Sequence, residues 1–232
     1  MANIHRYGFR YVRSATGDEC PPIMVFPIAS GYAPNTQDGG GGTACNLNIG
    51  DPVRLRQDGT VRLTQVGTDV TGEQGTGSEQ VFGVVAGFPR VLVGGAPRPG
   101  SFYTSGTTYS GGIGSDSAPL AAIIPVNGNV FECDFLAAQG SGTKADYMGT
   151  VGLTAPIAYT VLTSGTGQPK ANPLIGTVTA AGGGVQTQLY IVGLGKLGDA
   201  MDFTAANVTM QVMFSSQQMA LVTKVGQYGT AN

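Results

Sequence analysis

The chain has no tryptophan and only one histidine, His5, in 232 residues. Histidine is the usual general base near neutral pH and the commonest metal ligand. A Ser-His-Asp or Cys-His arrangement would therefore have to use a residue lying ahead of the strand-forming part of the chain. Zinc binding meets the same obstacle, because Cys20, Cys45, Cys133 and His5 come from four unrelated segments and show no CxxC spacing. Three cysteines cannot all pair within one chain, and buried free thiols are the expectation. Glycosidase chemistry needs only two carboxylates, and Glu132 and Asp134, two apart on one strand, face one way, with Asp18 and Glu19 as other candidates. Such clefts lean on aromatic stacking, for which this chain lacks tryptophan. The expectation is a protein that is not an enzyme, with no catalytic, cofactor or metal residues and no small-molecule substrate.

Charge is also scarce. Charged residues make up 11% of the chain, against about 25% in ordinary soluble proteins. With a net charge of −2 there is no basic excess of the kind nucleic-acid binding requires. The first residues, MANIHRYGFRYVRS, hold no apolar run of signal-peptide length, and no stretch nears the ~18 residues that span a bilayer. A product made in the cytoplasm, with no membrane partner, is expected. A surface of Gly, Ser, Thr, Ala and Gln carries little like-charge repulsion, so its natural partners are other proteins.

Glycine is what the chain has in excess, with 38 residues beside 13 prolines. Between the glycine clusters lie alternating apolar runs, the pattern of short strands joined by tight turns. No helical period is sustained beyond about two turns. The fold class expected is all-β, an antiparallel sandwich or barrel of roughly 8–12 short strands. Residues 1–43 read as an extended N-terminal arm rich in aromatics and arginines, and Pro21, Pro22, Pro27 and Pro34 interrupt any helix and confine strands to edges. The β domain follows over 44–219, with a division into two subdomains near 140–150 as an option, and 220–232 form a C-terminal tail.

Two hairpins are specified in more detail. In VRLRQDGTVRLT a three-residue turn, Gln57-Asp58-Gly59, pairs Leu55 with Val61 and Val53 with Leu63. Its outward face then carries Arg54, Arg56 and Arg62, with Arg54 opposite Arg62. In PLAAIIPVNGNVFECDF an Asn127-Gly128 turn pairs Ile124 with Phe131, Ala122 with Cys133 and Leu120 with Phe135, leaving Glu132 and Asp134 outward. The run QVFGVVAGF (80–88) is apolar on both faces, as in a strand covered on both sides. Gly193-Leu194-Gly195-Lys196-Leu197-Gly198 spells GxGxxG, but no adequate helix follows to receive a phosphate, and the segment reads as an inter-strand loop.

The order GDPVRL, DG turn, VFGVVAGF, VFECDF, ADYMGTVGL, PLIGTV, LYIVGL and NVTMQVMF resembles that of tailed-bacteriophage capsid cement or decoration proteins over about residues 46–219. The resemblance implies a β protein on the outer surface of a capsid, bound to the major capsid protein and to itself as a homotrimer or dimer, with the virion exterior as its location. Arg6, Tyr7, Phe9, Arg10, Tyr11 and Arg13 of the arm are then the expected capsid contacts. Arg54, Arg56, Arg62, Glu132 and Asp134 form an expected charged interface. Deleting residues 1–20 is expected to weaken attachment while leaving the domain folded. The alternative is a receptor- or glycan-binding module of a fibre or capsid surface, using Phe102, Tyr103 and Tyr109.

Overall fold

A computed structural model of the chain describes residues 8–28, 47–55, 59–64, 81–93, 96–100, 102–103, 119–161, 171–178, 188–196, 201–204 and 207–214. Among these, the strands in chain order are β1 (Arg10–Ser14), β2 (Met24–Pro27), β3 (Leu47–Asn48), β4 (Pro52–Leu55), β5 (Val61–Leu63), β6 (Gly83–Val93), β7 (Ala96–Gly100) and β8 (Phe102–Tyr103). They continue as β9 (Leu120–Pro125), β10 (Asn129–Asp134), β11 (Thr154–Ala155), β12 (Ile157–Val161), β13 (Ala171–Ile175), β14 (Leu189–Leu194) and β15 (Thr209–Phe214), with one helix, α1 (Lys144–Met148). The protein is all-β and its strand pairs are antiparallel.

Of the four sheets among the described residues, the first has the order β1-β10-β15-β14-β11 and the second β2-β9-β6-β4-β5 with β7 beside β6, while β12–β13 and β3–β8 form two-stranded sheets. Two isolated parallel bridges tie their margins. Ile28, just past β2, bridges Val61 of β5 at the far side of the second sheet. Phe135, just past β10, bridges Ile175, so the β12–β13 hairpin that continues from β11 returns to β10. The first and second sheets thus bend around towards closure, between a sandwich and a pair of small barrels.

Two apolar clusters fill the interior. The first collects Phe131, Cys133, Phe135, Leu189, Ile191 and the alternating Val208, Met210, Val212 and Phe214. The second collects Ile28, Val53, Val61, Leu63, Phe82, Phe88, Ala121 and Ile123. β6 and β9 serve both: Val84 and Ile124 face the first cluster, Val85 and Ile123 the second. The two-sided apolar run expected over 80–88 is therefore a central layer. Residues 140–150 contain α1, which opens on a capping box between Thr143 and Asp146. Its Tyr147 is buried in the first cluster, with ring centroids 5.7 Å from Phe135.

The hairpin of β4 and β5 has the expected register, Val53 with Leu63, Arg54 with Arg62 and Leu55 with Val61, and Gly59 has φ +78°. The second hairpin is a correction. Asn127 and Gly128 do make a turn, with the Asn129 N–H donated to the Val126 carbonyl at 3.3 Å. However, β9 pairs with β2 and β6, whereas β10 pairs with β1 and β15. Ile124 and Phe131 lie in different sheets and both face the first cluster, because each strand already has neighbours on both edges.

Within the segment expected as an arm, Arg10–Ser14 and Met24–Pro27 belong to the chain's own sheets. β1 pairs with β10 and β2 with β9. Entry to β1 depends on a crossing of two glycines: at Gly8 (φ +68°) an added Cβ would lie 2.7 Å from the Gly50 carbonyl oxygen. There the Phe9 N–H is donated to the Gly50 carbonyl at 2.8 Å. That bond seats Phe9 in the first cluster, its ring centroid 5.1 Å from that of Phe214.

Candidate interaction surface

The expected contact residues fall in three different settings. Arg6, Tyr7 and Arg56 lie outside the described residues, as does Tyr109; Phe102 and Tyr103 form β8, with their side chains also outside the description. Phe9 is 2% exposed and serves the core. Tyr11 packs edge-on against Phe131 and donates its hydroxyl to the Asp18 carbonyl at 2.7 Å. Desolvation, and next the Asp18 charge, raise its phenol above the ordinary range. Of the described arm cations, Arg13 is the exposed one.

Arg10, Glu132 and Asp134, expected in two separate groups, come together. β1 places Arg10 opposite Glu132. Its Nη2 lies 3.8 Å from Glu132 Oε2 and 3.7 Å from Asp134 Oδ1. These distances exceed hydrogen bonding, so the contact is one of charge. Glu132 also accepts the Lys196 backbone N–H, and Asp134 accepts the Thr209 hydroxyl at 2.6 Å. The two carboxylates do lie on the outward side of β10, but they are 5% and 0% exposed. The pair is outward as expected but covered, with Arg10, the backbone at Lys196 and the Thr209 hydroxyl against it. Arg62 likewise lies on the face away from the second cluster, as expected, yet is 2% exposed. Cys133, between Phe131 and Phe135 on the inner face, has its thiol raised by burial and next by the Asp134 charge. Of the GxGxxG string, Gly193 and Leu194 end β14 and the Gly195 N–H is donated to the Thr209 carbonyl at 3.0 Å, while Leu197 and Gly198 lie outside the described residues.

Sequence reasoning missed one exposed apolar surface among the described residues. Residues 15–20 and 22–25 are all exposed. Within them Ile23, Met24 and Val25 are 57%, 44% and 53% exposed. Neighbouring strand residues point to opposite faces, so both faces of β2 emerge from the packing at this end. The other end is anchored, since Phe26 meets Phe82 edge-on at 5.1 Å and Ile28 is 4% exposed. The preceding turn is braced by its own bonds: the Ser14 N–H to the Asp18 carbonyl at 2.8 Å, the Gly17 N–H to the Ser14 carbonyl at 3.1 Å, and the Asp18 N–H to the Ser14 hydroxyl at 2.9 Å. The signal in the sequence was three large aliphatics in a row beside prolines, with no charge from Cys20 to Gln37.

The fold and this surface define an all-β protein with a protruding apolar strand end. Comparisons with models of known protein families, with curated proteins and with solved structures found no match.

Proposed function

We propose that the chain is a structural protein that decorates the outer face of a viral shell, binding the major capsid protein and stabilising the assembled head. The observation that carries the reading is the exposed run of Ile23 and the first β2 residues, Met24 and Val25, because large apolar residues left in water on an anchored element mark protein contact sites. Low charge and the motif order resembling phage cement proteins over about residues 46–219 support it. A protein that binds the expanded lattice and not the broken one stabilises it by mass action. If it acts as a trimer or dimer, several contacts per particle add through effective concentration.

The test is reconstitution. Shells of the phage that encodes the chain, stripped of it, should bind the purified protein saturably and resist heat better afterwards. Shells that bind none of it would overturn the proposal.

A further inference from the structure

We infer that residues 18–25 form a two-part docking element for a protein surface in which an apolar groove lies beside basic side chains; this rests on the reading of a shell-binding protein. The apolar part is Ile23, Met24 and Val25, each about half exposed. The acidic part is Asp18 and Glu19, both exposed, at the end of the braced turn. Residues 18–25 themselves hold two acids and no base, which gives the element an acidic balance at its head.

Charge decides the occupant. Two adjacent carboxylates in water attract a partner carrying Lys or Arg and repel an acidic one. Beyond them the element has no charge, so its body is suited to an apolar groove. Pro21 and Pro22 join the two parts with a stiff, extended spacer. The turn at one end is held by Tyr11 and Ser14, and the strand at the other by Phe26 and Ile28. Ordering is therefore largely complete before the partner arrives, which lowers the entropic cost of binding.

Four forms of the full chain separate the terms: wild type, Ile23→Ser with Val25→Ser, Asp18→Asn with Glu19→Gln, and Asp18→Lys with Glu19→Lys. Each is titrated onto stripped shells at about 0.05 and 0.5 M salt, where the Debye length falls from over 10 Å to about 4 Å. The serine pair should weaken binding at least tenfold at both salts. The neutral pair should weaken it about three- to tenfold at low salt only, and the lysine pair by more than tenfold there. Circular dichroism melts should stay close to wild type throughout, since every altered side chain is exposed. Wild type binding while the serine pair binds as tightly, or while either charge pair binds as well at low salt, overturns the element and leaves the shell-binding reading standing. No wild-type binding overturns both. Concentration-dependent self-association of wild type, lost in the serine pair, overturns it in favour of a second copy as occupant.

Discussion

Arg10 holds together a site that burial would otherwise make costly. Its guanidinium, with the side chain a quarter exposed, faces Glu132 and Asp134 at 7% and 0% side-chain exposure. Removing one partner of a buried ion cluster strands the rest without compensation. Arg10→Ala should lower unfolding stability by about 2–3 kcal/mol, at the low end of the usual cost because solvent reaches the arginine. Adding Glu132→Gln and Asp134→Asn should recover part of that loss in urea titrations. If the triple variant is less stable than Arg10→Ala alone, the charges are not what couples these strands.

Asp51 is the second residue with a measurable signature. It is 2% exposed and accepts the Asn48 N–H at 2.8 Å. Burial pushes its carboxyl up to about 8, against an ordinary value of 3.8, while the Asn48 bond pulls the other way. Between those two pH values the folded protein keeps a proton that the unfolded chain has lost. Stability is then highest below about pH 4 and falls as pH rises to about 8, by up to about 1.4 kcal/mol per unit. Asp51→Asn keeps the acceptor and should remove this slope. Urea midpoints for both proteins at about pH 5 and 8 give the check, and parallel behaviour would refute a proton held at Asp51.

At the scale of elements, β1 is a working strand of the first sheet. Phe9→Ala should cost about 3–4 kcal/mol, as for a phenylalanine removed from a core, and guanidinium unfolding would measure it. A loss below about 1 kcal/mol would mean β1 is dispensable. Deleting residues 1–20 removes Phe9 and β1, one of the two partners of β10, so a fold left intact, the outcome expected from an independent arm, is replaced by a destabilised one.

The same elements show what the sequence could reveal. Val53, Leu55, Val61 and Leu63 alternate around a glycine that takes positive φ, so turn and face together specify one register. Phe131, Cys133 and Phe135 were legible as inward for the same reason. Alternation names a face but not a neighbour, which is why Ile124 and Phe131 were assigned to one sheet and lie in two layers. It is equally silent on cover: nothing local to Glu132 announces that Arg10 and the backbone at Lys196 will close over it. α1 was not read from the sequence, since its five residues are too few for a visible period.

For the whole molecule, the decisive feature is that β6 and β9 line both apolar clusters. Val84 and Val85 are adjacent in sequence, yet each belongs to a different cluster. Val84→Ala and Val85→Ala should each cost about 2 kcal/mol and shift a single unfolding transition, with near- and far-UV circular dichroism coinciding. Separate transitions, each sensitive to only one substitution, would show that the clusters melt independently.

The exposed end of β2 also bears on how the protein behaves at high concentration. An apolar strand margin in a chain with little charge is the usual seed of fibres, because unpaired amides recruit further strands without limit. Here Pro21, Pro22 and Pro27 flank the three aliphatics, and none of them has an N–H to extend a ladder. Just beyond, Ile28 is already bridged to Val61. The surface can adhere through its side chains while its backbone offers growing aggregates almost no template, so crowding many copies together need not start a filament.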